Sequence, residues 1–246
     1  MNALKENYSK QISSLAASAK LPLSLSKKHI NILSQFVGLF LKWNKSYSFS
    51  KFKTPGDIIR NLVFPSCAFS VYLQPNASVL DLGSGPGIPG IPLAIVRPDL
   101  SMHLVESSEK SFQFIHACKT SLSLDNVLGA NIRAEELARD AKWKGVFNYV
   151  IARSFAPLPV VVEIAAAFNK VGGYTIVQVS KTNAGKLRSR APDSTATGLW
   201  FNDVSTVDLS IDGVPPIELA SFVKEHRCPV KYPRSWKKMK NRPLWK

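Results

Sequence analysis

The stretch Val79-Leu80-Asp81-Leu82-Gly83-Ser84-Gly85-Pro86-Gly87-Ile88-Pro89-Gly90 constrains this chain more than any other. Four glycines fall within eight residues, after a short apolar run and before a run that reads as a helix. Such a turn lets a ligand approach the backbone, because no Cβ stands in the way. It also needs a strand-then-helix context, and the flanking sequence supplies one. Strands are expected over 78–82, 101–106, 126–132, 149–152 and 174–179. Helices are expected over 91–96, with Pro92 in the first turn, and over 110–122 and 158–168. The Gly172-Gly173 pair stops the last helix. Alternation at this spacing predicts an α/β fold, Rossmann-like, with a mostly parallel sheet covered by helices on both faces.

The flanks read differently. Helices are expected over 3–19 and 26–47, the second with Ile30, Leu33, Phe36, Val37, Phe40 and Leu41 at helical spacing and Ser24 or Ser26 as its cap. Residues 48–76, carrying Pro55, Gly56, Pro65 and Pro75, read as looser chain. Beyond Ser180 a basic, turn-rich stretch (Lys181, Lys186, Arg188, Arg190) leads to strands near 204–209 and 217–223. The tail from Arg227 holds Pro229, Pro233 and Pro243 and reads as irregular. The expected organisation is one domain over 1–246: a helical extension over 1–75, a core over 76–226 and a basic tail over 227–246.

Charge is concentrated at the ends. The chain carries a net +15, yet residues 57–223 are close to neutral, with 14 basic and 15 acidic side chains. Residues 1–56 and 224–246 each hold nine basic residues and one acid. Two basic ends around a neutral body suit a polyanion, because each phosphate contact releases a counterion. Three cysteines without C-x-x-C spacing exclude a disulfide scaffold and argue against structural zinc. The four histidines show no metal or triad spacing and read as surface or packing residues. No apolar run is long enough to span a membrane, and no secretory leader is expected. The expectation is a cytoplasmic monomer that needs neither membrane nor metal.

The ligand of the glycine loop follows from its charge. Gly85-x-Gly87-x-x-Gly90 matches the dinucleotide fingerprint formally, but Asp81 precedes the first glycine by two residues. A carboxylate there repels a pyrophosphate and attracts a cationic amino-acid moiety, directly or through water. S-adenosylmethionine carries an ammonium and a sulfonium and no phosphate, and is the expected cofactor. Glu106, at the end of the second strand, is placed to accept hydrogen bonds from both ribose hydroxyls. Ala134, Glu135 and Glu136 follow the third strand, where a loop frames an adenine.

The fourth strand ends in Ile151-Ala152-Arg153-Ser154-Phe155. It lacks the Asn/Asp-Pro-Pro-aromatic motif common in amino-methylating nucleic-acid enzymes. None of the cysteines stands in the Pro-Cys context common in cytosine C5 methylation. A site without an acid/base pair or a nucleophile suits an acceptor with a free lone pair, such as guanine N7. Catalysis is then positioning in a desolvated cleft, with Arg153 orienting the base or the cofactor carboxylate.

These residues together resemble a known family, the bacterial small-subunit rRNA guanine-N7 methyltransferases once called glucose-inhibited division protein B. The resemblance is carried by Leu41-Lys42-Trp43-Asn44, the loop from Asp81 to Ile95, Leu104-Val105-Glu106-Ser107 with Lys110 and Phe114, and Arg133-Ala134-Glu135-Glu136. Ala152-Arg153, Tyr232-Pro233-Arg234 and Pro243-Leu244 complete it. It implies a class I methyltransferase domain with an N-terminal helical extension, acting on guanine 527 of small-subunit rRNA or of the small ribosomal subunit. By matching position, Gly83 and Ile88 belong to the cofactor loop, Ala134 and Glu135 to the adenine, and Arg153 to the active cleft; Gly85, in the same loop, is a further expected cofactor contact. Lys181, Arg234, Lys237 and Lys238 are the expected RNA contacts.

The chain departs from the family pattern after Trp43-Asn44, before the first strand, and at the fifth strand's end. There Val179-Ser180-Lys181 replaces Lys-Gly. Two other readings stand beside the first. A small-metabolite methyltransferase accounts for the loop but not the basic ends. A degenerate RNA-binding assembly factor accounts for the altered substrate-side motifs.

Overall fold

The computed structural model describes residues 2–245, and side chains from residue 6 onward. Seven strands form one sheet in the order β3-β2-β1-β4-β5-β7-β6. They are β1 (Ser78–Leu82), β2 (Ser101–Glu106), β3 (Val127–Asn131), β4 (Phe147–Arg153), β5 (Asn169–Val179), β6 (Leu199–Val207) and β7 (Ile217–Lys224). The first five are parallel, and β7 runs antiparallel between β5 and β6. The order reverses between β1 and β4, and in open α/β sheets the crevice beyond the strand ends at such a reversal is where ligands bind.

One face of the sheet is covered by α1 (Asn2–Ser18), α2 (Lys27–Tyr47), α5 (Gly90–Val96) and α6 (Glu109–Leu122), with a helical run between α2 and β1. That run comprises α3 (Pro55–Ile58), a π turn (Ile59–Val63), α4 (Phe64–Cys67) and a 3-10 turn (Ala68–Val71). The other face carries α7 (Ala134–Leu137), α8 (Leu158–Phe168), α9 (Lys181–Ser189) and α10 (Trp236–Asn241). Among the described residues, no helix is long and apolar enough to cross a membrane.

Alternation along the strands places the site. Val79, Ile151, Ile176 and Leu219 face the first layer, and Leu80, Val150, Val177 and Ala220 the second. Side chains two positions apart share a face. Asp81, Arg153 and Gln178 therefore project toward the N-terminal helical layer. Ile151 is the Cα partner of Asp81, and Gln178 that of Arg153. Three adjacent strands thus bring three polar residues to one edge, Arg153 and Gln178 level with each other and two residues beyond the level of Asp81.

Ser26 caps α2: its hydroxyl accepts from the His29 N–H, while the Ser26 N–H donates to His29 Nδ1. Phe36, Phe40 and Trp43 then meet Phe114 of α6 at ring separations of 5.5–6.3 Å, which joins the helical extension to the core. Buried Asn44 donates to the carbonyls of Ser50 and Phe52 and accepts from the Ser50 N–H, fixing the loop that enters α3.

Several expectations are corrected. Residues 55–71, read as loose, are helical. Thr54 caps the run, and Pro55 sits in its first turn, where a missing N–H costs little. Pro65 lies just beyond the π turn. In a regular α-turn its N–H would bond the Asn61 carbonyl; proline has none, and that carbonyl accepts from Arg153 Nη2 at 2.9 Å instead. The Gly172-Gly173 pair does not end the helix before a strand: β5 already begins at Asn169, and the glycines sit where its register against β4 shifts. The stretch after Ser180 forms α9, capped by the Ser180 hydroxyl. β6 begins at Leu199 rather than near Val204. The tail forms α10.

Candidate active site

Three cavities follow one another along the C-terminal edge of the parallel strands. The first, about 350 Å³, is lined by Glu106, Ile132, Ala134, Glu135, Phe155 and Trp236 among others. The second, about 340 Å³, is lined by Phe40, Phe49, Ile88 and Arg153. They meet at Gly83, Gly85 and Ser154, which line both. The third, about 580 Å³, touches the second at Arg153 and reaches Gln178 and Lys181. A larger cavity of about 700 Å³, between α8, α9 and Trp245, shares no lining residue with these three. Its lining has none of the buried, unpartnered polar atoms that mark the edge.

The glycine loop supplies the floor. Gly83, Gly85 and Gly87 all take positive φ. A Cβ at Gly83 would lie 2.0 Å from Phe155 Cδ2, whereas one at Gly85 would meet nothing within 4 Å. Gly83 is thus required by packing, and Gly85 opens onto the space that a ligand would fill. Glu106 ties the loop to α6: Oε2 accepts from the Gly85 N–H at 2.8 Å and Oε1 from the Ser108 N–H at 2.6 Å. Each carboxylate oxygen keeps a second lone pair, and Glu106 lines the first cavity. Ser154, next to Arg153, is held at φ +55. A non-glycine residue in that region at a site of this kind marks stored backbone strain.

Asp81 does not reach the cavities as its position suggested. It is fully buried beneath the loop, and its Oδ2 accepts from the Gly90 N–H at 2.9 Å. Burial pushes its carboxyl up to about 7, opposed by the Gly90 N–H and Arg153, with Glu106 adding to the rise. A value above the unfolded one of about 3.9 means that the fold holds a proton the unfolded chain gives up. Between about pH 4 and 7 this residue's contribution to stability falls as pH rises, by at most about 1.4 kcal/mol per pH unit. Asp81→Asn keeps an acceptor for Gly90 and removes the titration. Denaturant unfolding at pH 5 and 7 should show the variant gaining on the parent as pH rises; parallel behaviour would mean that Asp81 is ionised throughout.

Three buried polar atoms on residues that line these cavities have no partner, Ser84 Oγ, Arg153 Nη1 and Gln178 Oε1; Asp81 Oδ1 is also unpartnered, but its residue lines none of the three. Leaving such groups unmet costs about 1–3 kcal/mol each, so their concentration along one edge points to a ligand that completes them. The cavity pair with its positive-φ cradle, the free lone pairs of Glu106 and these atoms suit a nucleoside joined to a charged amino-acid part.

Of the residues read from the sequence, Gly83, Gly85, Glu106, Ala134 and Glu135 come together in the first cavity, and Gly83, Gly85, Ile88 and Arg153 in the second. Lys181 lines the third. Lys237 and Lys238 are exposed on α10. Arg234 is corrected. Its backbone N–H and Nε donate to Glu163 Oε1 at 2.8 and 2.9 Å, and its Nη2 donates to Oε2. Glu163 is wholly buried in α8, so this guanidinium neutralises a core carboxylate and anchors the tail rather than facing a phosphate. That anchor sets Trp236 at the rim of the first cavity, beside Phe155.

Trp236, Phe155 and Gln178 were missed as site residues. Only Phe155 carried a signal, as part of the segment ending the fourth strand. His103 packs edge-on against Trp143 and Phe147. Among the described residues, no three His, Cys, Asp or Glu side chains gather as a metal site would require.

A family model described as rRNA small subunit methyltransferase G (GidB) matches residues 29–204. A Ribosomal RNA small subunit methyltransferase G from Moorella thermoacetica is 30% identical over 224 residues, covering 90% of this chain and 93% of that protein. A protein of the same name from Edwardsiella ictaluri is 37% identical over 149 residues, covering 61% and 69%. Among solved structures, a SAM dependent methyltransferase from Aquifex aeolicus superposes with a TM-score of 0.53 at 13% identity, over 72% of this chain and 97% of that one. That likeness shows the fold, a class I, Rossmann-like methyltransferase fold.

Proposed function

This chain belongs to the rRNA small subunit methyltransferase G family, and from that premise we propose that it methylates N7 of a guanine in small-subunit rRNA, most simply guanine 527. The cofactor is S-adenosylmethionine. In this reading the first cavity holds its adenosine and the second its amino-acid part. When bound, it supplies a methyl group on a positively charged sulfur; the N7 lone pair takes that methyl, the S–C bonding pair stays with sulfur, and no proton leaves.

The observation that carries the reading is Arg153. Its Nη2 is fixed on the Asn61 carbonyl, and its Nη1 is buried without a partner in the wall shared by the second and third cavities. A guanidinium held at one end presents its other donors rigidly, which suits orientation rather than proton transfer. Three carboxylates near Arg153 are tied to protein donors, while Glu135 lines the first cavity, which Arg153 does not. Asp81 holds Gly90, Glu106 holds the loop, and Glu218 accepts from Arg188 and Thr206. Burial pushes the Cys67 thiol up to about 12 and raises Cys118 as well, and neither lines the three cavities. A pathway through a cysteine adduct has no residue here; attack by a lone pair needs none.

The RNA side rests on charge. Lys237 and Lys238 project from the helix that carries Trp236. In this reading they meet phosphates while the tail stays pinned by Arg234. Lys237→Ala with Lys238→Ala should weaken RNA binding and flatten its salt slope by roughly 0.7–0.9 for each phosphate no longer neutralised, with cofactor affinity unchanged. An unchanged slope would remove these lysines from the interface. We read the protein as a cytoplasmic monomer. The reaction is tested by incubating undermodified small-subunit RNA with methyl-labelled cofactor and digesting to nucleosides. Label in 7-methylguanosine supports the reading; label in 5-methylcytosine or N6-methyladenine overturns it.

A further inference from the structure

We propose that the third cavity receives the target guanine, and that Gln178 selects it by accepting a hydrogen bond from its Watson–Crick edge. This rests on the guanine-N7 reading above and goes one step further, naming where the base sits and which side chain identifies it.

The order of the cavities gives the first argument. The first joins the second at Gly83, Gly85 and Ser154, and the second joins the third at Arg153. If adenosine and amino-acid part fill the first two, the methyl acceptor approaches from the third. That cavity, about 580 Å³, is within the range that admits a small ring system. Phe52 lines its wall, with the Lys51 ammonium 5.4 Å from the centre of its ring, and Pro65 and Pro216 add apolar surface. Stacking on an aromatic ring is how a base taken out of its helix is held.

Gln178 gives the second argument. It is the Cα partner of Arg153 on the neighbouring strand, so both side chains leave the same face of the sheet. Its Oε1 is buried and accepts no hydrogen bond, although its residue lines the cavity. An amide oxygen in that state awaits a donor. Guanine carries two adjacent donors, N1–H and the 2-amino group, on the side of the purine away from N7. A guanine held by those donors at Gln178 turns its N7 back toward Arg153 and the second cavity. Recognition at one end of the ring and reaction at the other then follow from one placement. Lys181, at the start of α9 in the same wall, is left to meet the nucleotide's phosphate.

Inosine keeps N7 and N1–H but lacks the 2-amino group, so it isolates the contact. Ligated small-subunit RNA carrying guanosine or inosine at the methylated position is assayed with the parent protein and with Gln178→Leu. The parent should lose about tenfold in kcat/KM on inosine. Gln178→Leu should lose about tenfold on guanosine and little more on inosine, with its calorimetric affinity for S-adenosylmethionine within twofold of the parent. Should the leucine variant not fold, Gln178→Asn, one methylene shorter, is read in the same way. An inosine penalty of equal size in parent and variant, or full activity of the variant on guanosine, would overturn the assignment while leaving N7 methylation intact. A parent protein that makes no 7-methylguanosine would overturn both.

Discussion

Gly85→Val is expected to lower S-adenosylmethionine affinity by at least about a hundredfold while the protein stays folded. Gly85 sits at φ +53, where a β-branched residue is strained by roughly 1–3 kcal/mol. The added Cβ would meet no protein atom within 4 Å, because it points into the space shared by the first two cavities. If the backbone relaxes instead, the Gly85 N–H leaves Glu106 and the loop loses its tie to the second strand. Either way the ligand loses its cradle, whereas the core is untouched. Gly83 would make a poorer test, since a Cβ there collides with Phe155 and disturbs packing as well. Calorimetric titration of the folded variant checks the expectation; unchanged affinity would take the loop out of the site.

Arg153→Ala is expected to reduce turnover by roughly a hundredfold, the scale on which lost positioning acts, with a much smaller effect on cofactor affinity. It also strips the Asn61 carbonyl of its donor, so a stability loss of about 1–3 kcal/mol accompanies it. Arg153→Lys separates the two effects. A lysine can serve the Asn61 carbonyl or reach the cavity wall, but its single ammonium cannot do both as a planar fork does. It should recover much of the stability and little of the turnover. At saturating cofactor the turnover of Asp81→Asn, which removes the carboxyl that titrates at about 7 beside Arg153, should stay nearly flat between about pH 6 and 8.5, since no base has to be unmasked. Full turnover by the lysine variant would reduce Arg153 to a structural tie between sheet and helical layer.

The parts of this fold that were legible in the sequence are those specified locally. The glycine loop, the strand–helix alternation and the α2 stripe each carry a period or a turn chemistry of their own. What was hidden depends on distant partners. Pro65 read as a breaker because the residue that takes up the carbonyl it leaves free, Arg153, lies 88 positions further along, whereas Pro55 follows its cap Thr54 and was a local helix start overlooked in the sequence. Arg234 read as a phosphate contact because counting charges does not reveal a buried acid elsewhere. A signal did exist: Glu163 is the lone charge in the apolar helix Leu158–Phe168, and an acid there demands a cation. Asp81 was singled out rightly as a loop residue, but it lies beneath the loop and off the cavity walls, because depth beneath a loop has no sequence signature. Gln178 and Trp236 had none either; they became site residues only through the strand register and the tail's anchor.

Mapping of 7-methylguanosine in small-subunit rRNA tests the central claim most directly, with RNA taken from cells that carry the gene and from cells that lack it. The modified base bears a fixed positive charge and is open to reductive strand scission, so its position can be read to the nucleotide. The account predicts a single scission site present with the gene, absent without it, and restored by the parent protein but not by Gly85→Val. Identical scission patterns in the two cell populations, or loss of a different methylated base, would contradict it.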